Sequence, residues 1–386
     1  MGDVGPWIVE PRGRKAAWAL WALVLLGFTV VSIARPGMRS VTPVYRDASF
    51  AWLSGQDMYP QRDGAMNYLP QFAILFSPFA SMPQRVGDFL WRLMQLGVYV
   101  SSIHRLAMEA QSGPKDLFFP VTILALPAAL GSAMNGQSNM LLAGAMTHAS
   151  VEVIRGCRWA VAAWLILGLV AKPIAIVMIL LLAMSNRAMI PWFLGGMALA
   201  AASPLLFDSW PSVAGQYTSW YRQLLVIGPS HEHRFDDISG LLRTLNMHLT
   251  IKVLYQLRLL AAGLTVALWL VWARRLRQPD YAFALLGLSA AYLMLFNPRT
   301  ESNSYVVLSP AIAVMAARLL LVEGRRVGWL LAGLAVALGN ASYGDPIWPL
   351  TKLWLKPTVA AMFAAFLIYE IARRRPETEV AHLAAS

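Results

Sequence analysis

Residues 159–184 read WAVAAWLILGLVAKPIAIVMILLLAM, an apolar run broken once, at Lys172-Pro173. How this run is read sets the topology of the chain. As one helix it would bury the Lys172 ammonium near the middle of a bilayer, at a cost of about 3 kcal/mol or more. As two short helices meeting at Lys172-Pro173, it brings the lysine to a surface or into a cavity. Two segments are therefore expected.

Outward from this run the chain keeps the same character. Its 386 residues are 58% hydrophobic and only 13% charged, whereas soluble domains carry about 25% charged residues. An all-α polytopic membrane protein follows, with residues 1–386 forming a single domain, because no stretch is long and polar enough for a soluble one. Apolar segments fall at Ala16–Ala34, Val86–Ala107, Leu117–Met134, Met140–Ile154, the two halves of 159–184, Met189–Phe207, Ile251–Trp272, Tyr281–Phe296, Val306–Leu321, Val327–Leu338 and Pro357–Ile371. Tyr68–Met82, broken by Pro70 and Pro78, suits an interfacial helix better than a full span. The basic residues before Ala16–Ala34 give it the look of a signal peptide. Its apolar run exceeds the usual about 7–15 residues, so an uncleaved span is expected.

Charge supplies the sidedness. With the N-terminus cytoplasmic and 159–184 counted twice, Arg105/Lys115, Arg155/Arg158, Arg187, Arg274/Arg275/Arg277, Arg325/Arg326 and Arg373/Arg374/Arg375 all fall on the cytoplasmic side. That is the positive-inside pattern, with about twelve segments and both termini inside. Counting 159–184 once would move the Arg275 loop outside. The net charge of +12 resides in these short loops, which argues for a membrane and against nucleic acid. Cys157, the single cysteine, excludes an internal disulfide and reads as an inert thiol. No repeat suggests the duplicated halves of a transporter.

The opposite side receives a first outer loop (35–85), Asn135–Asn139, a second large loop (208–250), Asn297–Asn303 and Ala341–Lys356. The first loop holds VYRDASFAWLSGQDMYPQRDGAMNYLPQ, Val44–Gln71. Asp47, among aromatic residues, suits a base that takes a proton from a hydroxyl nucleophile; the bland alternative is a solvated acid or a helix cap. Asp57 and Asp63 read as turn residues. Arg299 can grip a phosphate with two hydrogen bonds, or simply pair with Glu301. Lys172 can neutralise a phosphate, or snorkel. Arg234 is a third candidate cation. Within the second loop, Pro211–Ile227 suits an amphipathic helix lying on the membrane. His231-x-His233 with nearby Asp236 and Asp237 hints at a metal but falls short of the ligand number and spacing of a strong site, so no metal or other cofactor is expected. Gly131, Gly136 and Gly144 suit helix packing or a bend.

Asp47-x5-Leu53-x-Gly55-x-Asp57-x-Tyr59, Tyr68-Leu69-Pro70, Pro78-Phe79-Ala80-x-x-Pro83, Gly136-Gln137-x-Asn139 and Lys172-Pro173 with Arg187 together resemble glycosyltransferase family 87, of the GT-C superfamily. The resemblance implies a GT-C-type fold. It also implies transfer of a sugar, often mannose, from a polyprenyl-phosphate donor to a glycan or glycolipid acceptor, on the outer face of the cytoplasmic membrane. Asp47 would be the base, with Arg299, Lys172 and Arg234 at the donor phosphate. Tyr45, Arg46, Trp52, Tyr68, Gln137, Asn139, His231, Glu301 and Asn303 would contact sugar or acceptor. One departure stands out. Actinobacterial mannosyltransferases of the family tend to carry a Ser-Trp-x-His-His type motif before a late span, where this chain has Pro298-Arg299-Thr300-Glu301-Ser302-Asn303. That bears on the sugar and acceptor more than on the reaction. A transporter or flippase of a lipid-linked glycan, and a polymerase or ligase of surface glycans, are the competing readings.

Overall fold

The computed structural model describes residues 11–34, 40–111, 115–227, 235–344 and 346–373, and every regular element among them is helical. In chain order the α-helices are α1 (Pro11–Ala34), α2 (Thr42–Leu53), α3 (Pro70–Ala80), α4 (Gln84–Ala110), α5 (Phe118–Asn135), α6 (Asn139–Arg155), α7 (Arg158–Ala171), α8 (Ile176–Ser185) and α9 (Ile190–Ala202). There follow α10 (Trp210–Ile227), α11 (Ile238–Thr244), α12 (Ile251–Ala273), α13 (Asp280–Phe296), α14 (Ser309–Ala317), α15 (Val327–Ala337), α16 (Trp348–Thr351) and α17 (Leu355–Arg373).

The 159–184 run is two segments. α7 ends at Ala171, Lys172 is extended (φ −161°, ψ 123°), and a 3₁₀ turn at Pro173–Ala175 leads into α8. Extended backbone is what a residue before proline prefers, because the ring crowds the helical conformation. The run goes out and back. Ala171 meets Ser138 at the start of α6, while Ser185 returns to Tyr281 at the start of α13, 2.8 Å away.

α6 and α13 form the centre and are buried around most of their circumference. α6 crosses α4 closely because Gly144 lacks a side chain. A Cβ there would lie 2.9 Å from Val98 Cγ1 and 3.0 Å from the Tyr99 backbone nitrogen. Small residues permit this approach between membrane helices, where dispersion rather than the hydrophobic effect holds them together. At the periphery, α9 and α12 leave Leu199, Leu259, Leu260 and Leu264 more than half exposed, a surface that lipid tails solvate and water does not. Among the described residues, six helical stretches are long and apolar enough to cross a membrane: Arg12–Val31, Phe118–Asn135, Arg187–Leu206, Ile251–Ala273, Ser302–Val322 and Leu355–Arg373.

The two ends of the bundle differ. One gathers the basic loops in ion pairs: Arg14 with Asp116 (2.6 Å), Arg105 with Glu152 (2.5 Å), Arg155 with Glu109 (2.8 Å), Arg318 with Asp280 (2.7 Å) and Arg325 with Glu370 (2.5 Å). The other gathers the aromatic and amide-rich loops. There the polar and aromatic first outer loop is built on α2 and α3, which pack Tyr45, Phe72 and Phe76 edge-on around the fully buried Trp91 of α4. Such ring pairs contribute about 0.5–1.5 kcal/mol each beyond their buried area.

Candidate active site

The site begins where α5 stops. Gly136 adopts the left-handed conformation (φ +72°) that ends a helix without a Cβ penalty. Space also demands glycine here, since a Cβ would lie 3.1 Å from Thr42 Cγ2 and 3.3 Å from Arg92 Nη2. The Gly136 carbonyl accepts a hydrogen bond from Trp91 Nε1 at 2.8 Å. The three residues that follow link three parts of the chain. Ser138 Oγ donates to the Ala171 carbonyl at 2.9 Å, and the Ser138 backbone N–H donates to the Tyr45 hydroxyl at 3.4 Å. Lys172 Nζ donates to Asn139 Oδ1 (2.8 Å), Asn139 Nδ2 to Gln137 Oε1 (2.6 Å) and Gln137 Nε2 to Glu301 Oε2 (2.5 Å). A cation and a carboxylate are thus joined through two amides, Asn139 fully buried and Gln137 nearly so.

The segment after α13 forms the far wall. Arg299 has φ +65°, a conformation that costs an L-residue about 1–2 kcal/mol and is typical of strain held at functional sites. Its two terminal nitrogens each lie 3.3 Å from Asp63 Oδ1, and its guanidinium sits 5.5 Å from the centre of the Phe235 ring. Arg299 Nε is buried with no hydrogen-bond partner among the described residues. Asn303 rests on α5, where a Cβ at Gly131 would come 2.8 Å from Asn303 Oδ1. Arg299 and Glu301 therefore do not pair with each other; their partners come from the first loop and from the start of α6.

A buried polar cluster lies beneath this segment. The Asp236 N–H donates to the Thr300 carbonyl (2.9 Å), and the Tyr305 hydroxyl donates to the Asp236 carbonyl (2.7 Å). Lys356 Nζ donates to the Ser302 carbonyl and hydroxyl at 2.9 and 2.7 Å. Burial pushes the Asp236 carboxyl above the usual carboxylate range, against the pull of the Lys356 charge. Asp237 caps α11 and pairs with Arg258 at 2.9 Å.

α10 holds the first loop in shape. Gln216 receives the Met58 N–H and donates to the Gln56 carbonyl, Gln223 donates to the Arg62 carbonyl, and Trp220 to that of Asn67. Asp57 accepts from Tyr59 N in a turn, while its second oxygen accepts from Ser219 at 2.6 Å.

The candidates read from sequence separate accordingly. Gln137, Asn139, Lys172 and Glu301 come together, with Tyr45 touching the same turn and Tyr68 hydrogen-bonded to Tyr45 at 3.2 Å. Tyr45, Tyr68 and Trp52 are mostly buried in the aromatic cluster, and burial raises the Tyr45 pKa. Arg46 is engaged elsewhere, donating to the carbonyls of Phe79, Ala80 and Met82. Asp47 is exposed on the face of α2 opposite the buried Tyr45, Ser49 and Trp52, and makes no hydrogen bond or ion pair among the described residues. Arg234, His231 and His233 lie outside the described residues. No three His, Cys, Asp or Glu side chains among the described residues are grouped so as to hold a metal. Sequence reasoning set Asp63 aside as a turn residue and did not single out Lys356. Lys356-Pro357 repeats the Lys172-Pro173 dipeptide ahead of an apolar helix, and that was the signal available.

This is a helical membrane protein with cations, a carboxylate and amides collected at one end of its bundle. The chain belongs to glycosyltransferase family 87, whose family model matches residues 67–298. The protein is thus a membrane glycosyltransferase. The match includes Tyr68, Gln137, Asn139 and Lys172; Asp47 lies before it, and Arg299 and Glu301 just beyond it. No curated protein matches the chain.

Proposed function

We propose that the enzyme transfers a sugar, most simply mannose, from a polyprenyl-phosphate donor to a glycan or glycolipid acceptor at the outer face of the cytoplasmic membrane. The single observation that carries this reading is Arg299. Its backbone is strained, its Nε is an orphaned buried donor, and its pair with a half-exposed Asp63 is long. Exposed ion pairs contribute about 0–1 kcal/mol, so a phosphate that takes two charge-assisted hydrogen bonds displaces Asp63 at little cost.

In the proposed reaction the acceptor hydroxyl gives its proton to Asp47 as its oxygen bonds to the anomeric carbon. The bond from that carbon to the phosphate oxygen breaks, and polyprenyl phosphate leaves. Attack opposite the leaving group inverts the centre, through an oxocarbenium-like transition state. Negative charge grows on the departing phosphate, so Arg299 and Lys172, with Arg234, stabilise the transition state more than the ground state. Gln137, Asn139, Glu301 and Asn303 supply hydrogen bonds for sugar hydroxyls, against walls formed by Tyr45, Tyr68 and Trp52. The charge at the phosphate is met by side chains, so no metal is required.

A second assignment of the base rests on one observation: Glu301 is the carboxylate linked through Gln137 and Asn139 to Lys172. The test is transfer from radiolabelled polyprenyl-phosphate mannose and glucose by purified enzyme, in wild type, Asp47→Asn and Glu301→Gln. Loss of transfer in Asp47→Asn with donor binding retained supports Asp47. Loss confined to Glu301→Gln moves the base to Glu301. Donor binding without transfer by wild type overturns the reading.

A further inference from the structure

Lys356 is buried at the start of α17, on a helix long and apolar enough to cross a membrane. An ammonium there is costly, and such residues are kept where they have a specific task and partner. Among the described residues its hydrogen bonds and its ring contact are all to one short segment. Two hydrogen bonds go to Ser302, one to its carbonyl and one to its hydroxyl, and the ammonium lies 5.7 Å from the centre of the Tyr305 ring. The same segment is held one turn earlier by the Asp236 N–H on the Thr300 carbonyl. The Ser304 N–H closes it on the Glu301 carbonyl, 2.9 Å away.

These attachments bracket Arg299 and Glu301. A left-handed arginine relaxes unless its surroundings over-determine it, and the flanking bonds at Thr300 and Ser302 provide that. We infer that Lys356 is a positioning residue: through Ser302 it holds the 299–302 segment so that the Arg299 guanidinium is presented to the donor phosphate. Lys356 reaches no substrate itself. The inference rests on the reading of Arg299 as a donor contact.

A double-mutant cycle separates positioning from mere support, because residues that act through one another are strongly non-additive. Lys356→Met, Arg299→Ala and the double variant are compared by kcat/KM for the polyprenyl-phosphate sugar, with Ser302→Ala as a milder variant that removes one acceptor. Lys356→Met is expected to lower kcat/KM on the order of 10²-fold in the otherwise wild-type enzyme, the scale on which small displacements of substrate-gripping groups act. In the Arg299→Ala background the same change is expected to cost about 3-fold or less. Ser302→Ala should follow the same non-additive pattern with a smaller loss. Equal losses from Lys356→Met and Ser302→Ala in both backgrounds, or no loss in either, overturn the inference. Should Lys356→Met not fold, Ser302→Ala decides alone by the same criterion. If Arg299→Ala by itself leaves kcat/KM unchanged, the donor-contact reading fails instead.

Discussion

Two glycines with the same backbone offer an internally controlled test of how the site is built. Gly136 and Gly156 both end helices at φ +72°. An alanine at either position bears the same left-handed penalty, about 1–2 kcal/mol. They differ in surroundings. A Cβ at Gly156 meets nothing within 4 Å, whereas one at Gly136 lies 3.1 Å from Thr42 Cγ2 and 3.3 Å from Arg92 Nη2. Thr42 is the first residue of α2 and is buried, so relief of the contact has to come from a packed side chain. Overpacking of this kind costs about 1–3 kcal/mol more. Gly156→Ala should therefore lose about 1–2 kcal/mol of stability and keep its activity. Gly136→Ala should lose about 2–5 kcal/mol and also lose transfer, because Gln137 and Ser138 follow directly on the displaced turn. Thermal unfolding in detergent, followed by tryptophan fluorescence, and donor turnover measure both quantities. Equal stability and full activity in the two variants would refute the claim that α2 seats against Gly136.

Two further outcomes follow from the charges. Asp63→Asn should lower the donor KM, because the phosphate no longer competes with a carboxylate for Arg299; a raised KM in steady-state kinetics would contradict this. Asp236 has a folded pKa raised by burial above the unfolded value of about 3.9. Its contribution is fully present below that unfolded value and is lost as pH rises through the folded pKa. The stability difference between wild type and Asp236→Asn should therefore move in favour of the variant as pH is raised from about 4 to 8, measured as thermal midpoints across that range.

Much of the architecture was legible because it is local. The break at 172 follows from one lysine and one proline, and the structure turns back there. Gly136-Gln137-x-Asn139 was legible as a bend opening a helix for the same reason. The pairings across the site were not. Arg299 and Glu301, two apart in sequence, look like natural partners, yet Arg299 reaches Asp63 across 236 positions and Glu301 reaches Gln137 across 164. Asp57 does form the turn its neighbours suggest, and its other oxygen then holds Ser219. Local pattern reports one partner of a polar group; the second comes from the fold. Arg46 shows the reverse case, since a cation beside a candidate base turns out to cap the end of α3.

The hold of α10 on the first loop has a consequence for the order in which the enzyme becomes itself. The ribosome makes residues 44–71 early, but the glutamines that fix their carbonyls sit at 216 and 223, and the arginine that meets Asp63 sits at 299. A nascent chain halted before α10 carries the loop without its mould. The candidate site is finished only when the middle and distal parts of the protein have been inserted and have folded back onto the first, so a defect in late membrane insertion is expected to appear as a fault in the earliest-made part of the site.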